Sequence, residues 1–218
     1  MGRLFPRIMS IFNTDLINDK EIRISRESYK KGELIRGEGE ECLQVIKLIK
    51  GTVSAKQSFS DGHNSILRII HENEYIGLNL IFSKSPNYKA SFYADEDVEI
   101  KLIAKDSLLY LMQRDEKILR EVLMLISDFG INLNEHIKLL NHKTIKSKLA
   151  YLLYSNYKKY GSSFTLDYNK TELAALLNVE RPSLSKELNS LIKANIIREE
   201  RNSYTIISPS LLKLLIED

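Results

Sequence analysis

The stretch "NKTELAALLNVERPSLSKELNSLIKANII", residues 169–197, predicts two short helices joined by a tight turn. Asn169 followed three residues later by Glu172 is a capping-box pattern that starts the first helix. The second helix opens with Arg181 and Pro182, and proline is tolerated in a first turn because its missing amide proton would have no intrahelical acceptor. The apolar residues of the second helix recur at helical spacing and form a buried stripe: Leu184, Leu188, Leu191 and Ile192. The two helices therefore pack on one another, and one polar face points outward.

That polar face of the second helix carries hydrogen-bonding and positively charged groups, with Glu187 and Ser190 at its margin. A helix of this kind fits the major groove of B-DNA, where an arginine can pair bidentately with guanine. A solvated amphipathic helix is the alternative. The following "IIREERNSYTII" predicts a hairpin, with Asn202 at the positive-φ position of its turn. The residues predicted to contact DNA are Arg181, Ser183, Ser185, Lys186, Asn189 and Arg201.

Composition sets broad limits on the class of protein. A chain of 218 residues that is 43% hydrophobic is expected to be globular. A net charge of +3 is too small to indicate a class of binding partner. Residues 143–218 hold 12 lysines and arginines against 8 acidic residues, so the excess positive charge lies in the last third. A single cysteine, Cys42, excludes a disulfide within the chain and predicts a reducing, cytoplasmic setting. No targeting segment is expected at the N-terminus, and no run approaches the roughly 18 apolar residues of a membrane span.

Short runs typical of β-strands fill residues 25–103, and turn residues separate them. Many short strands at even spacing predict a sandwich or a barrel. Asp61 and Gly62 form the strongest turn signal, so a hairpin is expected there.

From about Asp115 to Asn141 the apolar spacing changes to three and four residues, which predicts one long helix. Its stripe is close to a seven-residue repeat, the pattern with which a helix packs along a second copy of itself. A homodimer follows as a hypothesis; packing of the helix on its own domain is the alternative. Gly130 weakens the helix by about 1 kcal/mol relative to alanine. The predicted dimerisation residues are Val122, Leu125, Phe129, Leu133 and His136.

With these motifs in place, the sequence resembles the Crp/Fnr family of bacterial transcription regulators over nearly its whole length. "YKKGELIRGEGEECLQVIKLIKGTVS" and "EYIGLNLIF" resemble the family's β-roll, and "TELAALLNVERPSLSKELNSLIKANII" resembles its helix-turn-helix. The resemblance implies an α+β fold with an N-terminal antiparallel, jelly-roll-like β-roll, a long dimerisation helix and a C-terminal winged helix-turn-helix. It divides the chain into an effector-sensing domain (1–114), the dimerisation helix (115–141) and a DNA-binding domain (142–218).

The implied function is regulation of transcription rather than catalysis. The implied partners are double-stranded DNA with a palindromic operator, a second copy of the chain, and RNA polymerase. Arg181, Ser183 and Lys186 stand where family members contact bases or phosphates. Pro182 replaces an acidic residue common in the family, so no particular operator sequence is implied.

The effector-sensing end departs from the family's cyclic-nucleotide binders. Those proteins place a glutamate directly after the glycine of this segment and an arginine in the phosphate-binding pair, whereas here Leu78 follows Gly77 and the pair is Tyr88 and Lys89. Lysine does not reproduce the fork geometry of arginine, so no tight binding of cyclic AMP is expected. An apolar effector pocket or, alternatively, ordinary core is predicted for a set of five residues: Tyr75, Leu78, Tyr88, Lys89 and Tyr93.

The numbers and spacing of cysteine and histidine also bear on other cofactors and other classes of protein. A single cysteine cannot hold the four-cysteine iron–sulfur cluster of oxygen-sensing members. Haem is not indicated, because none of four histidines has ligand-like spacing with another: His63, His71, His136 and His142. The cofactor is therefore unknown. The alternatives are an interaction module that binds a protein partner, and a cupin-like metal enzyme, which would need two or three histidines and a carboxylate on one face.

Overall fold

The computed structural model of the protein describes residues 22–58 and 64–217. These residues form two compact units, and the chain passes from the first to the second between Gly130 and Ile131. The predicted turn at Asp61 and Gly62 and the N-terminal segment considered for targeting lie outside the described residues.

The first unit is built from antiparallel β-strands, as predicted. Its strands are β1 (Ile24–Tyr29), β2 (Leu34–Arg36), β3 (Gln44–Lys50), β4 (Val53–Ser58), β5 (Asn64–Ile70), β6 (Tyr75–Ile76), β7 (Ser91–Ala94) and β8 (Val98–Ala104). They form two four-stranded sheets with the orders β1-β8-β3-β6 and β2-β7-β4-β5. β4 pairs with β5 from Val53↔Ile70 to Ser58↔Asn64, so the predicted hairpin pairing is confirmed on both sides of the turn.

Apolar side chains of these strands form the core of the first unit. Val45, Ile46 and Leu48 of β3 are fully buried, so this strand buries side chains on both of its faces. Ile100, Leu102 and Ile103 of β8, its neighbour in the sheet, are buried as well.

Two helices follow β8. The first, α1 (Lys105–Arg114), was not predicted; Asp106 in its first turn and Arg114 in its last turn both complement the helix dipole. The second is the predicted long helix, α2 (Glu116–Leu140). Asp115 lies between the two helices in extended backbone, which is why they are separate elements.

The second unit is a winged helix. After the last residues of α2 it contains α3 (Ile145–Tyr160), β9 (Ser163–Thr165), α4 (Lys170–Leu177), α5 (Arg181–Lys193), β10 (Ile197–Glu200), β11 (Ser203–Ile206) and α6 (Pro209–Glu217). The strands pair in the antiparallel order β10-β11-β9, and the wing is the hairpin β10–β11. The core is made by leucines of α3, α4 and α5, with Phe164 and Tyr204 of the sheet stacked at its edge.

The predicted capping box at the start of α4 is confirmed. The side-chain oxygen of Asn169 accepts from the amides of Thr171 and Glu172 at 2.9 and 3.0 Å, and the Asn169 amide donates to the Glu172 carboxylate at 2.7 Å. A second capping box, between Thr144 and Ser147, starts α3 and was not predicted. Both devices satisfy amides that have no intrahelical acceptor.

Candidate nucleic-acid interface

Helix α5 has the orientation that the sequence predicts. Leu184, Leu188 and Leu191 are buried and hold the helix on the core of the second unit. Pro182 lies in the first turn, and the N-cap residue Glu180 makes no side-chain capping bond. The buried leucine stripe thereby fixes which side chains of α5 face away from the unit.

The outward face of α5 is polar and carries most of the predicted DNA-contacting residues. Arg181, Lys186 and Asn189 are exposed, whereas Ser183 and Ser185 are half-buried. Of this set only Arg201 lies elsewhere, exposed at the turn of the wing. The arrangement offers two cationic side chains and three neutral hydrogen-bonding side chains on one helix, which suits phosphate oxygens and base edges.

Glu187 reduces the positive charge beside this face. Its carboxylate lies 3.7 Å from the Nζ of Lys146, which belongs to the first turn of α3. The side chain of Lys146 remains 40% exposed, so this lysine still lies at the surface next to α5. Sequence reasoning noted Glu187 only as a marginal residue and did not find its pairing, because the partner is 41 positions away in the chain.

The turn of the wing corrects one prediction. Asn202 was expected to adopt positive φ, but Arg201 does so, with φ of 58°. The antiparallel register pairs Glu200 with Ser203, so Arg201 and Asn202 are the two residues of the turn. The carbonyl of Asn202 accepts from the amide of Leu166, which ties the turn to the segment after β9.

The wing is joined to α4 through Glu199. Its carboxylate lies 3.4 Å from the Nζ of Lys170, and the hydroxyl of Tyr204 donates to it at 3.4 Å. Burial, together with the nearby Glu199 charge, raises the pKa of Tyr204, so its phenol is a neutral donor. The side chain of Glu199 is only 8% exposed, and this buried contact fixes the base of the wing.

The five residues predicted to line an effector pocket are placed differently from one another. Leu78 and Tyr88 are buried in the core of the first unit, while Lys89 is exposed. Tyr75 and Tyr93 are half-buried and lie in different sheets, on β6 and β7, with Lys47 and Lys56 over their respective rings. Because Tyr88 and Lys89 have opposite exposure, the pair does not point two side chains into one cavity.

Tyr88 is held by its surroundings. Its hydroxyl lies 3.5 Å from the Gln44 carbonyl, its ring contacts Phe92 edge-on, and burial raises its pKa. The buried thiol of Cys42 is close to the same carbonyl, and burial raises its pKa also.

The residues predicted to form a dimer interface also separate into groups. Val122 is fully buried in the core of the first unit, and Leu125 packs against that core, so Val122 cannot face a partner as predicted. Phe129 is half-buried and Leu133 is 44% exposed. The ring of His136 bonds to the carbonyl of Leu176 in α4.

Within residues 22–58 and 64–217, no group of three or more histidine, cysteine, aspartate or glutamate side chains is arranged to hold a metal ion. His63, one of the histidines considered for haem, lies outside that part of the chain. No helix in the described part of the chain has the length and apolar character needed to cross a membrane.

The fold and the exposed helix face define a class, namely a DNA-binding protein with a β-roll followed by a winged helix-turn-helix. Residues 26–115 match the cyclic nucleotide-binding domain family, and residues 147–215 match the Crp-like helix-turn-helix domain family. The two matches together span most of the chain, and this protein belongs to the Crp/Fnr family of transcription regulators. The predicted family and α+β fold are thereby confirmed.

Solved structures of family members share the fold at low sequence identity. FixK2 from Bradyrhizobium japonicum is 19% identical, with 88% of this chain and 97% of that chain covered and a TM-score of 0.62. CprK complexed with OCPA is 18% identical, with 85% and 88% covered and a TM-score of 0.69. A CooA variant from Carboxydothermus hydrogenoformans is 19% identical, with 90% and 88% covered and a TM-score of 0.68. No curated protein matches the sequence.

Proposed function

We propose that the protein binds a palindromic operator as a homodimer and inserts α5 of each protomer into a major groove. The observation that carries this proposal is the outward face of α5, on which Arg181, Lys186 and Asn189 are exposed above a buried leucine stripe. Ser183 and Ser185 add neutral hydrogen-bonding groups, and Arg201 reaches the DNA from the wing. In a two-fold dimer the two half-sites lie about 34 Å apart, one helical turn of DNA.

A second copy of the chain is the proposed partner of α2. Four exposed apolar side chains of this helix recur at intervals of three, seven and four residues: Leu123 at 53% exposure, Ile126 at 36%, Leu133 at 44% and Ile137 at 51%. Met124 and Ile131 are also exposed but lie off this spacing. This spacing keeps to a seven-residue repeat with Gly130 on the same face, where two backbones can approach closely. The proposed seam therefore retains Leu133 of the predicted set and replaces Val122 with its exposed neighbour Leu123.

The effector is proposed to be something other than cyclic AMP. Leu78, which stands where the cyclic-nucleotide binders of the family have a ribose-binding glutamate, is only 7% exposed and belongs to the apolar core. Lys89 is exposed, and lysine lacks the two-pronged geometry that grips a phosphate. A calorimetric titration with cyclic AMP should give no micromolar binding, and binding at that level would contradict this part of the proposal.

Family membership supports the remaining assignments. RNA polymerase is the proposed protein partner, and the cytoplasm is the proposed location, because a regulator of bacterial transcription acts where the DNA lies. The functional division is proposed as effector-sensing residues 1–114, dimerisation helix 115–141 and DNA-binding residues 142–218. The boundary between the two compact units falls inside the proposed dimerisation helix.

The test is a selection from a randomised duplex library with the purified protein, at near-physiological salt and without added ligand. The expected result is an enriched palindrome with half-sites about one helical turn apart. The selection is repeated with cell extract, which supplies an effector if one is needed. If no sequence is enriched either with or without cell extract, operator binding is contradicted and a protein partner for the winged helix is favoured.

Two further measurements separate the parts of the proposal. Affinity for the enriched duplex should fall steeply with salt, with a logarithmic slope of about −0.9 for each phosphate neutralised. Sedimentation at micromolar concentration should show a dimer, and Leu133→Asp should convert it to monomer because two carboxylates would be buried in the seam. A wild-type monomer that still enriches a palindrome would overturn the seam and leave DNA binding intact.

A further inference from the structure

The C-terminal end of α4 lies three residues before α5, the proposed recognition helix. Its last four carbonyl groups each accept a hydrogen bond. The last four carbonyls of a helix have no intrahelical donor. Here the amide of Asn178, in left-handed backbone, donates to Ala174 and Ala175, and the amide of Val179 donates to Ala174. The local backbone thus satisfies two of the four carbonyls of α4, and those of Leu176 and Leu177 remain.

Side chains from two other helices satisfy the remaining pair. The Nε2 of His136, on α2, lies 2.7 Å from the carbonyl oxygen of Leu176. The Nζ of Lys148, on α3, donates to the carbonyl oxygen of Leu177 at 3.0 Å. A carbonyl oxygen can only accept, so Nε2 of His136 must carry the proton in this contact. All four terminal carbonyls of α4 are therefore bonded, and two of these bonds cross between helices.

His136 lies on α2 beside two residues of the proposed dimer seam. Leu133 and Ile137, three residues before it and one after it, are exposed members of the proposed dimer seam. The His136 ring is half-buried and bonded to α4. The same turn of α2 thus presents apolar side chains outward and holds the helix-turn-helix with its histidine.

The carbonyls of Leu176 and Leu177 are close in sequence to the residues proposed to contact DNA. After Leu177, only Asn178, Val179 and Glu180 separate α4 from Arg181, the first residue of α5. Glu180 makes no side-chain capping bond that would fix the start of α5 independently. The buried leucines fix which face of α5 points outward, and the position of its first turn, with Arg181, also depends on where the end of α4 is held.

We propose that His136 is a positioning residue that sets the orientation of α5 relative to the dimer seam of its own protomer. Its planar ring allows little freedom to the Nε2–H bond, whereas Lys148 reaches the neighbouring carbonyl on a flexible four-carbon stem. His136 fixes the direction of the contact between α2 and α4. Lys148 neutralises the negative, C-terminal end of the α4 dipole. The consequence for operator spacing rests on the proposed homodimer; the anchoring of α4 does not.

The anchoring is tested without DNA, by amide hydrogen exchange of the full chain. His136→Leu keeps an apolar side chain of similar size and removes the donor, while His136→Gln places an amide donor near the same carbonyl. We expect exchange across residues 178–184 to rise about tenfold in His136→Leu, the effect of losing one buried hydrogen bond. The glutamine variant should recover much of the protection, and strands of the first unit should exchange as in wild type. Equal exchange across residues 178–184 in wild type and His136→Leu would overturn the inference.

Operator spacing gives a readout that a loss of general stability would not change. The selected palindrome is compared with versions that have one base pair inserted or removed between the half-sites. Wild type should discriminate among the three, and His136→Leu should bind them within a few-fold of one another while its dimer dissociation constant is unchanged. A uniform loss of affinity with spacing preference retained would overturn the positioning role. Absence of any selected palindrome would count against the proposed function, and the exchange result would still decide the anchoring.

Discussion

The segment from Gly77 to Lys89 and helix α5 both resemble the family in sequence, but they differ in whether the side chains considered for binding are exposed. In the first segment Leu78 and Tyr88 are buried in the core. In α5 the leucines are buried and the polar side chains between them, such as Arg181 and Lys186, are exposed. The exposed polar side chains of α5 are therefore available to a partner, whereas Leu78 and Tyr88 belong to the core of the first unit.

Packing around Gly77 explains the first half of this contrast. Gly77 has φ of +85°, and a Cβ atom built there would lie 2.6 Å from the sulfur of Cys42 and 3.5 Å from the Tyr88 hydroxyl. The space beside this glycine is thus already filled by core side chains. Close packing of this kind stabilises the unit and makes it sensitive to single atoms.

The largest expected effect therefore concerns the stability of the first unit. Gly77→Ala should destabilise it by about 2–4 kcal/mol, because it combines strained backbone with an overpacked core. Gly32→Ala is the matched control: Gly32 has φ of +88° but no heavy atom within 4 Å of the added Cβ. The control should cost only the backbone strain of about 1–2 kcal/mol. The measurement is chemical denaturation followed by the signal of the β-rich unit.

A double variant separates the two contributions at Gly77. In a Cys42→Ala background, which lacks the sulfur, Gly77→Ala should lose the packing part of its cost and destabilise the unit about as much as Gly32→Ala does. Equal destabilisation by Gly77→Ala and Gly32→Ala would show that the sulfur moves aside readily, and the contrast between a filled and an open segment would be weaker than the distances indicate.

The next effect concerns the helix. Arg181→Ala should cost about 1–3 kcal/mol of operator binding and relax the preference at one base pair per half-site, because a base contact is lost. Lys186→Ala, as a phosphate contact, should weaken all sequences alike and reduce the salt slope by about one. Binding of the selected duplex and its point variants by both proteins is the measurement. A uniform loss in Arg181→Ala would reverse its assignment as a base reader.

Some features of the fold could be predicted from local patterns alone. The capping box at Asn169 and Glu172 and the leucine stripe of α5 depend on neighbours within one or two turns, so spacing identifies them. The contacts of Lys146 with Glu187 and of His136 with Leu176 could not be predicted, because their partners are 41 and 40 positions apart in sequence. Of the predicted dimerisation residues, Val122, Leu125 and His136 each lie one position before an exposed apolar residue of α2, since a repeat of three and four residues does not say which face the helix buries. Helix α6 was missed although Ser208 and Pro209 form a start signal before an apolar run.

The wing provides a smaller effect in which stability and binding should change in opposite directions. Arg201 holds φ of 58°, a conformation that asparagine adopts more readily than arginine. Arg201→Asn should therefore stabilise the winged-helix unit by up to about 1 kcal/mol and at the same time weaken DNA binding. Thermal unfolding and duplex binding are measured on one preparation. Asn202→Ala is the control from the same turn; it should give no gain in stability.

The smallest expected effect lies at the end of α2, in an ion pair at the surface. Lys138 donates to the Glu135 carboxylate at 2.6 Å and Tyr151 donates to it at 3.2 Å, and the Lys138 bond is the main cause that lowers the pKa of Glu135. A lowered pKa in the folded state stabilises the fold above the ordinary glutamate pKa, and this contribution is lost as the pH falls through the folded value. Glu135→Gln should therefore cost no more than about 0.5 kcal/mol at neutral pH, since both side chains of the pair are about half exposed. The cost should disappear in acid, and in a Lys138→Met background most of it should be absent at every pH. Urea unfolding of the four proteins across the acid range checks this, and a cost that persists below the folded pKa would mean that Glu135 acts through packing, as the buried residues around Gly77 do.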